Sequence, residues 1–269
     1  MRVVLCCLAK NEELYINDFV KWYVKLGFDT IYLFDNNDKD KPLHINFIEP
    51  QYHKNVITID IRGMAYKEMQ ADIYTKFYRD YGNTFNWCLF CDVDEFLTGI
   101  TNIKCFLTLP YFMSYKQIRI KWKLFGDDDL ITRDMSKPVY KVFKNQVLHS
   151  FNRNLIQRGN LESQAKCMVR GKLKNVKFGS VHYAKDLPSC LPNGRVCYSK
   201  VAIKEKYIRT NVYLNHYMTK SLSEFINQKL NRNDAVYNTN IKLNYYWRIN
   251  KKTPEKVDFL KGLGLWHLK

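Results

Sequence analysis

The sequence predicts an α/β fold built on a doubly wound, mostly parallel sheet. Three observations predict it. Strand-length apolar runs alternate with helical stripes across the first hundred residues. The connections between them are short. The strand runs are apolar without a break, as they are when helices cover both faces of a sheet.

Val3-Val4-Leu5-Cys6-Cys7-Leu8 is the first such run. From Glu12 the spacing turns helical, with Tyr15, Phe19, Trp22 or Tyr23, and Leu26 on one stripe, ended by Gly27. Thr30 to Phe34 predicts a second strand, and the polar run from Asp35 to Pro42 a loop. Val56 to Ile61 predicts a third strand, and Lys67 to Tyr81 a second long helix closed by Gly82. Trp87 to Cys91 predicts a fourth strand, which delivers Asp92-Val93-Asp94-Glu95 at its carboxyl end. Further on, Gln117 to Trp122 alternates like a strand and leads to the acidic loop Phe125-Gly126-Asp127-Asp128-Asp129. Residues 140 to 215 hold short apolar stretches broken by Gly, Pro and Asn, a β-rich or loop-rich pattern. Ser221-Leu222-Ser223-Glu224 is a capping box that opens a helix through Leu230.

Ligands of doubly wound sheets sit outside the carboxyl ends of the strands. The tips Lys10-Asn11-Glu12, Asp35-Asn36-Asn37, Arg62-Gly63 and Asp92-Val93-Asp94 all fall there. Four strands thus offer polar groups to one rim, which predicts a site.

Composition narrows the class. With 269 residues, 46% hydrophobic and 15% aromatic, the chain buries a sizeable core and is not disordered. No apolar run approaches the roughly 20 residues of a membrane span, and the stretch Val3–Leu8 is too short for a secretory core. The expected location is the cytosol. Eight cysteines are too sparse for a disulfide scaffold. The one C-x-x-C, Cys88 to Cys91, lies inside a predicted strand, so reduced core thiols are expected rather than zinc. Lys and Arg number 43 against 26 Asp and Glu, a net charge of +17. That excess suits nucleic acid, an anionic membrane surface or a phosphorylated small molecule; coding bias toward Lys and Asn is the alternative.

Two carboxylates spaced D-x-D at a strand end can share one divalent cation, and oxygen ligands suit Mg²⁺ or Mn²⁺, which in turn bind a diphosphate. A solvated turn after a strand has the same spacing. A haloacid-dehalogenase-type motif would want Thr or Val where Phe96 stands and would follow the first strand. Neither a P-loop nor a G-x-G-x-x-G fingerprint is present. His216 can be a nitrogen ligand of the same metal, and Lys220 can neutralise a diphosphate; a core or surface histidine is the plainer alternative.

These residues together resemble bacterial family 2 and family 92-like glycosyltransferases. The resemblance is carried by Cys7-Leu8-Ala9-Lys10-Asn11-Glu12 with Trp22 and Gly27, Phe34-Asp35-Asn36, Arg62-Gly63, Gln70-Ala71 with Tyr74, and Trp87 leading to Asp92-Val93-Asp94-Glu95-Phe96-Leu97. It continues in Trp122 to Asp127, Lys166-Cys167-Met168-Val169-Arg170, Val181-His182-Tyr183, and His216-Tyr217-Met218-Thr219-Lys220-Ser221 running to Phe225. It spans roughly residues 3 to 235 and implies a GT-A fold, a Rossmann-like doubly wound mixed sheet, with a helical or irregular C-terminal extension at 236–269. It also implies transfer of a sugar, with inversion, from a nucleotide-sugar donor (a UDP-sugar is favoured) to a polysaccharide or lipid-linked glycan acceptor.

By position, the resemblance has Ala9, Lys10, Glu12 and Asp35 hold base and ribose, with Arg62 and Gln70 lining the same pocket. Asp92 and Val93 would meet ribose or metal-bound water, Asp92, Asp94 and His216 would hold Mn²⁺ or Mg²⁺, and Lys220 would lie near the diphosphate. The acidic loop falls where the resemblance expects the acceptor, so Asp127 is the first candidate base and Asp128 the second, with Glu95 as rival. The family often has Arg-Gly after its terminal helix, where this chain has Arg232-Asn233-Asp234. Outside the match, Tyr245, Tyr246, Trp247, Arg248, Lys251 and Lys252 cluster; such a mixture either seats a protein peripherally on anionic lipid or packs as a C-terminal helix. Two other readings stand beside transfer. One is a basic nucleic-acid-binding protein, which leaves the rim of acids unexplained, so no nucleic-acid partner is expected. The other is a GT-A protein that binds a nucleotide sugar without transferring it.

Overall fold

A computed structural model describes residues 1–147, 164–198, 210–230 and 239–266, so Arg232-Asn233-Asp234 lies outside the described residues. In chain order the elements are β1 (Val3–Ala9), α1 (Ile16–Lys25), β2 (Thr30–Asp35), β3 (Val56–Asp60), α2 (Met69–Tyr81), β4 (Trp87–Phe90), β5 (Glu95–Thr98), α3 (Ile103–Leu107), β6 (Gln117–Leu124) and α4 (Val139–Val142). They continue with β7 (Ala165–Arg170), β8 (Phe178–Ser180), β9 (Tyr183–Ala184), β10 (Ser189–Cys190), β11 (Tyr213–His216), α5 (Leu222–Phe225), α6 (Thr239–Ile249) and α7 (Pro254–Gly262). The chain divides into two compact units. One holds residues 1–122 with 161–215, the other 123–160 with 216–269.

The first unit is built on a nine-stranded sheet of order β3-β2-β1-β4-β7-β6-β11-β5, with β10 beside β6. β3, β2, β1 and β4 run parallel in unbroken register, with Leu5 opposite both Ile31 and Leu89. β7 lies antiparallel to β4 and to β6, so the sheet is parallel in its first half and mixed as a whole. Val3 to Cys7 are each fully buried because helices cover both faces. On one face Val4, Cys6, Cys88 and Phe90 pack against Ile73, Tyr74 and Phe77 of α2. On the other, Phe19 and Trp22 of α1 meet the edge of Phe96, at ring separations of 6.1 and 5.7 Å. α1 buries Ile16, Phe19, Val20 and Tyr23, the i, i+3, i+4, i+7 stripe of an amphipathic helix. It stops where Gly27 takes φ +92°, a left-handed backbone that glycine adopts without a Cβ penalty.

The second unit has its own core of Leu222, Phe225, Ile226, Leu230, Leu243, Tyr246 and Leu260. The capping box forms, with the Ser221 N–H and hydroxyl both donating to Glu224. The helix it opens is α-helical only to Phe225 and widens to a π turn over Ile226–Leu230. Leu243, Tyr246 and Leu260 complete the core that 222–230 begins. The C-terminal aromatics face that core. Tyr246 is fully buried, the Tyr245 hydroxyl donates to Met218 Sδ at 2.7 Å, and Lys252 Nζ caps the Trp266 ring at 4.4 Å. Among the described residues no helix is long and apolar enough to cross a membrane.

Candidate active site

The order β3-β2-β1-β4 leads outward in both directions from β1, so the crevice of the sheet opens between the carboxyl ends of β1 and β4. The loop Lys10-Asn11-Glu12 leaves one side of it and Asp92-Val93-Asp94 the other. Because the four strands are parallel, the tips after β2 and β3 share that rim.

The loops after β1 and β2 are tied by a histidine that the sequence reading passed over. His44 is fully buried, its Nδ1 lies 2.9 Å from Asp35 Oδ2, and its Nε2 accepts the Glu12 N–H at 3.1 Å. An accepting Nε2 places the ring proton on Nδ1, facing the carboxylate. Asp35 also accepts the backbone N–H groups of His44 at 2.6 Å and Asn37 at 3.2 Å. Burial pushes the Asp35 carboxyl up, but the His44 and Asn37 donors outweigh it and hold it below the ordinary carboxylate range. Asp35, expected on the base and ribose, has no exposed surface, and its carboxylate accepts from the His44 and Asn37 N–H groups. Two more rim residues are engaged with protein partners. Lys10 Nζ pairs with Asp38 at 3.2 Å. Arg62 forks onto Asp60, with Nη2 at 2.8 Å from Oδ2, and donates to the Lys41 carbonyl at 2.7 Å. Ala9, nearly inaccessible, accepts the Asn36 N–H at 2.8 Å.

Asp92 is the centre of the second half of the rim. Its side chain keeps 35% of its surface exposed, Oδ1 accepts from Gln70 Nε2 at 2.7 Å, and Oδ2 accepts from Lys166 Nζ at 2.7 Å. Gln70, at the start of α2, donates from the same nitrogen to the Tyr74 hydroxyl at 2.8 Å. Lys166 is fully buried on β7 and also lies 3.8 Å from Glu95 Oε1. Burial alone would neutralise this group, yet Asp92 and Glu95 raise its pKa, so it stays an ammonium. Burial pushes Asp92 up, and Lys166 and Gln70 more than offset it. Glu95 has no exposed surface, and burial drives its carboxyl well above the ordinary range despite Lys166. Lys166 thus sits between two carboxyl groups shifted in opposite directions. Asp94 and Val93 are buried beside it.

The resemblance includes Lys166 and gives it no role. Its signal was there: a single charge inside the apolar strand Ala165-Lys166-Cys167-Met168-Val169 needs a buried partner. Near it the His182 Nδ1–H donates to the Ala165 carbonyl at 3.2 Å. Burial, with the Lys166 charge adding to it, lowers the His182 pKa to about 4.

The remaining expected residues belong to the second unit. His216 ends β11, is 4% exposed, and its carbonyl accepts the Phe125 N–H at 3.1 Å. Lys220 is 2% exposed and sits at φ +55°, one residue before the capping serine. Asp127 is buried, its Oδ2 lies 2.7 Å from Lys256 Nζ and accepts the Tyr246 hydroxyl, and its N–H donates to Asn250 Oδ1 at 2.8 Å. Asp128 accepts the backbone N–H groups of Lys144 at 2.8 Å and Asn145 at 3.1 Å. Both candidate bases thus have their carboxylates engaged within the loop's own scaffold. Asp129 pairs with Lys256 at 3.1 Å but keeps 54% of its side chain exposed. Glu95, the rival base, is enclosed.

Asp92 and Asp94 are hard oxygen donors of the kind Mg²⁺ and Mn²⁺ take. Among the described residues, no group of three or more His, Cys, Asp or Glu side chains could hold a metal ion. Cys6, Cys7, Cys88, Cys91, Cys167 and Cys190 are buried free thiols, and Cys105 is an exposed one.

No family model matches the chain. An 80-residue stretch is 35% identical to the putative uncharacterized protein YOR102W of Saccharomyces cerevisiae, covering 28% of this chain and 64% of that one. The solved structure of S. aureus TarS aligns over 96% of this chain and 47% of its own, with 12% identity and a TM-score of 0.39. The chain thus spans less than two thirds of either protein.

Proposed function

We propose that the chain is a metal-dependent glycosyltransferase that moves a sugar from a nucleotide-sugar donor, a UDP-sugar by preference, to a polysaccharide or lipid-linked glycan. The observation that carries the reading is the crevice between β1 and β4, with Asp92 and Asp94 at its lip. The motif resemblance across residues 3 to 235 supports it.

Breaking a glycosyl–phosphate bond leaves negative charge on the departing diphosphate. A divalent cation on Asp92 and Asp94 would supply charge stabilisation there. Gln70 and Lys166 hold the Asp92 carboxylate ionised and fixed in direction. His44, through Asp35 and the Glu12 N–H, holds the loop that would meet base and ribose. His216 as a further metal ligand and Lys220 as a diphosphate partner rest on the motif resemblance alone. The acceptor's proton passes to the acidic loop. Asp129 presents its carboxylate to solvent, while Asp127 and Asp128 brace the turn that carries it. Arg248, Lys251 and Lys252 remain on the surface, where peripheral contact with anionic lipid belongs to the same proposal.

The test is thermal unfolding with UDP, GDP or CMP, each with and without Mn²⁺, together with nucleotide release from the matching sugar donor. One nucleotide should raise the melting temperature in a metal-dependent way, because a ligand that binds only the folded state stabilises it. Asp94→Ala should remove the metal dependence. Asp129→Asn should keep donor binding and lose transfer. If no nucleotide shifts the transition under any condition and none is released, the proposal fails.

A further inference from the structure

The sheet order puts β4 between β1 and β7. The loops that the proposal above gives to base and ribose follow β1 and β2, on one side of Asp92. The other side belongs to β7. Cys167 stands opposite Phe90 in an antiparallel pair, so the amino end of β7 runs past the carboxyl end of β4 and reaches the rim at Ala165. Neighbouring strands lie about 4.8 Å apart. A molecule laid across the rim from β1 therefore passes β4 and comes next to β7.

His182 is the side chain that stands there. Its backbone N–H donates to Ser180 Oγ at 3.2 Å, and its Nδ1–H donates to the Ala165 carbonyl at 3.2 Å. Its ring meets Trp122 edge to face, with centroids 5.4 Å apart. The imidazole is thus held in one orientation, close enough to the cluster for the Asp92 and Lys166 charges both to act on it. A carbonyl only accepts, so the ring proton lies on Nδ1 and Nε2 keeps its lone pair. Nε2 points away from the β7 backbone that Nδ1 faces, and among the described residues it has no hydrogen-bond partner. The residue is half-buried, and Nε2 itself stays open to solvent.

A fixed lone pair turns away phosphate and carboxylate oxygens, which only accept, and takes a group that donates. In a nucleotide sugar, the donating groups beyond the diphosphate are the hydroxyls of the sugar. We infer that His182 holds a hydroxyl of the transferred sugar through Nε2, so that the β7 side of the crevice reads the sugar. This rests on the nucleotide-sugar reading and adds to it where the sugar lies and which atom meets it. A site built to pair with a hydroxyl discriminates strongly against a ligand that lacks it. The ribose offers the same chemistry, and a nucleoside diphosphate without a sugar separates the two sources.

The experiment measures binding to the full chain by equilibrium dialysis, with Mn²⁺ present throughout. The probes are UDP, UDP-glucose, UDP-galactose and UDP-N-acetylglucosamine. His182→Asn keeps an amide N–H for the Ala165 carbonyl and removes the atom at Nε2. The loss of one neutral hydrogen bond should weaken the best-bound UDP-sugar by about three- to tenfold and leave UDP within about twofold of wild type. His182→Phe, which keeps a ring against Trp122, should behave alike and decides if the asparagine variant does not fold. UDP and the UDP-sugar weakened by the same factor overturn the inference, as a ribose contact or a loosened rim would give. Unchanged UDP-sugar affinity in a folded variant overturns it as well, and so does a wild type that binds UDP but none of the three UDP-sugars. A wild-type chain that binds none of the four probes brings down the UDP-sugar reading itself, a result distinct from UDP-sugar binding that does not depend on His182.

Discussion

Replacing Lys256 by Met should unsettle the second unit more than any surface change in it. The Lys256 side chain is fully buried; its ammonium lies 2.7 Å from Asp127 Oδ2 and donates to Asp129 Oδ1 and to the Lys251 carbonyl, each at 3.1 Å. Methionine keeps the stem's packing and deletes the charge. Asp129, half exposed, rehydrates at little cost. Asp127, with 4% of its side chain exposed, keeps only the Tyr246 hydroxyl and the Asp129 N–H. Stripping one partner from a buried ion pair costs about 3–5 kcal/mol, and those two surviving donors place this case near the lower end, about 3 kcal/mol. At roughly 2–4 °C per kcal/mol, the melting temperature should fall by roughly 6–12 °C. Urea unfolding at 25 °C measures the change, with Lys252→Met as control because its ammonium rests outside on Trp266. A loss below about 1 kcal/mol for Lys256→Met, no larger than an exposed pair gives, refutes a buried, desolvated Asp127–Lys256 pair.

His182 supplies a pH dependence. Its folded pKa of about 4 lies below the unperturbed value because burial and the Lys166 charge disfavour the imidazolium. The unfolded chain then binds the extra proton first, so stability is full above about pH 6.5 and drains away as the pH falls toward 4. Between pH 7 and pH 5 this one group should account for about 2 kcal/mol at most; urea curves of His182→Phe should lose that part of the slope and retain the rest. His44→Ala should cost about 2–4 kcal/mol, since it orphans the Glu12 N–H and takes from the buried Asp35 its imidazole partner. In the same variant UDP affinity should drop while an Asp129→Asn chain binds normally, measured side by side by equilibrium dialysis.

What was legible came from local pattern. The runs at Val3, Thr30, Val56 and Trp87 form strands within a residue or two of their expected ends, and the stripe expected from Tyr15 to Leu26 forms a helix over Ile16–Lys25. The Ser221–Glu224 box forms because its two partners are three residues apart and any chain that turns there brings them together. The helix beyond it keeps its length but widens after Phe225, a change that no hydrophobic period announces. The acidic triplet was visible as charge, but which of its members is enclosed was not: Asp127 meets Tyr246 and Lys256 from helices more than a hundred residues on. The aromatic and basic C-terminal stretch read equally as a lipid anchor or a packed helix, and burial of Tyr246 separates the aromatics from the exposed cations around them.

By itself, the sequence determined that strands and helices alternate, that the strands are covered on both faces, and that acids end β1, β2 and β4, because apolar period and chain direction are properties of neighbouring residues. Tertiary structure alone decided which charge answers which acid: Lys166 comes to Asp92 across 74 residues, His44 turns Asp35 inward, and Lys256 takes Asp127. Burying an ion is costly unless an opposite charge reaches it, and that partner is chosen by strand register and helix packing, neither of which is written at the position of the acid.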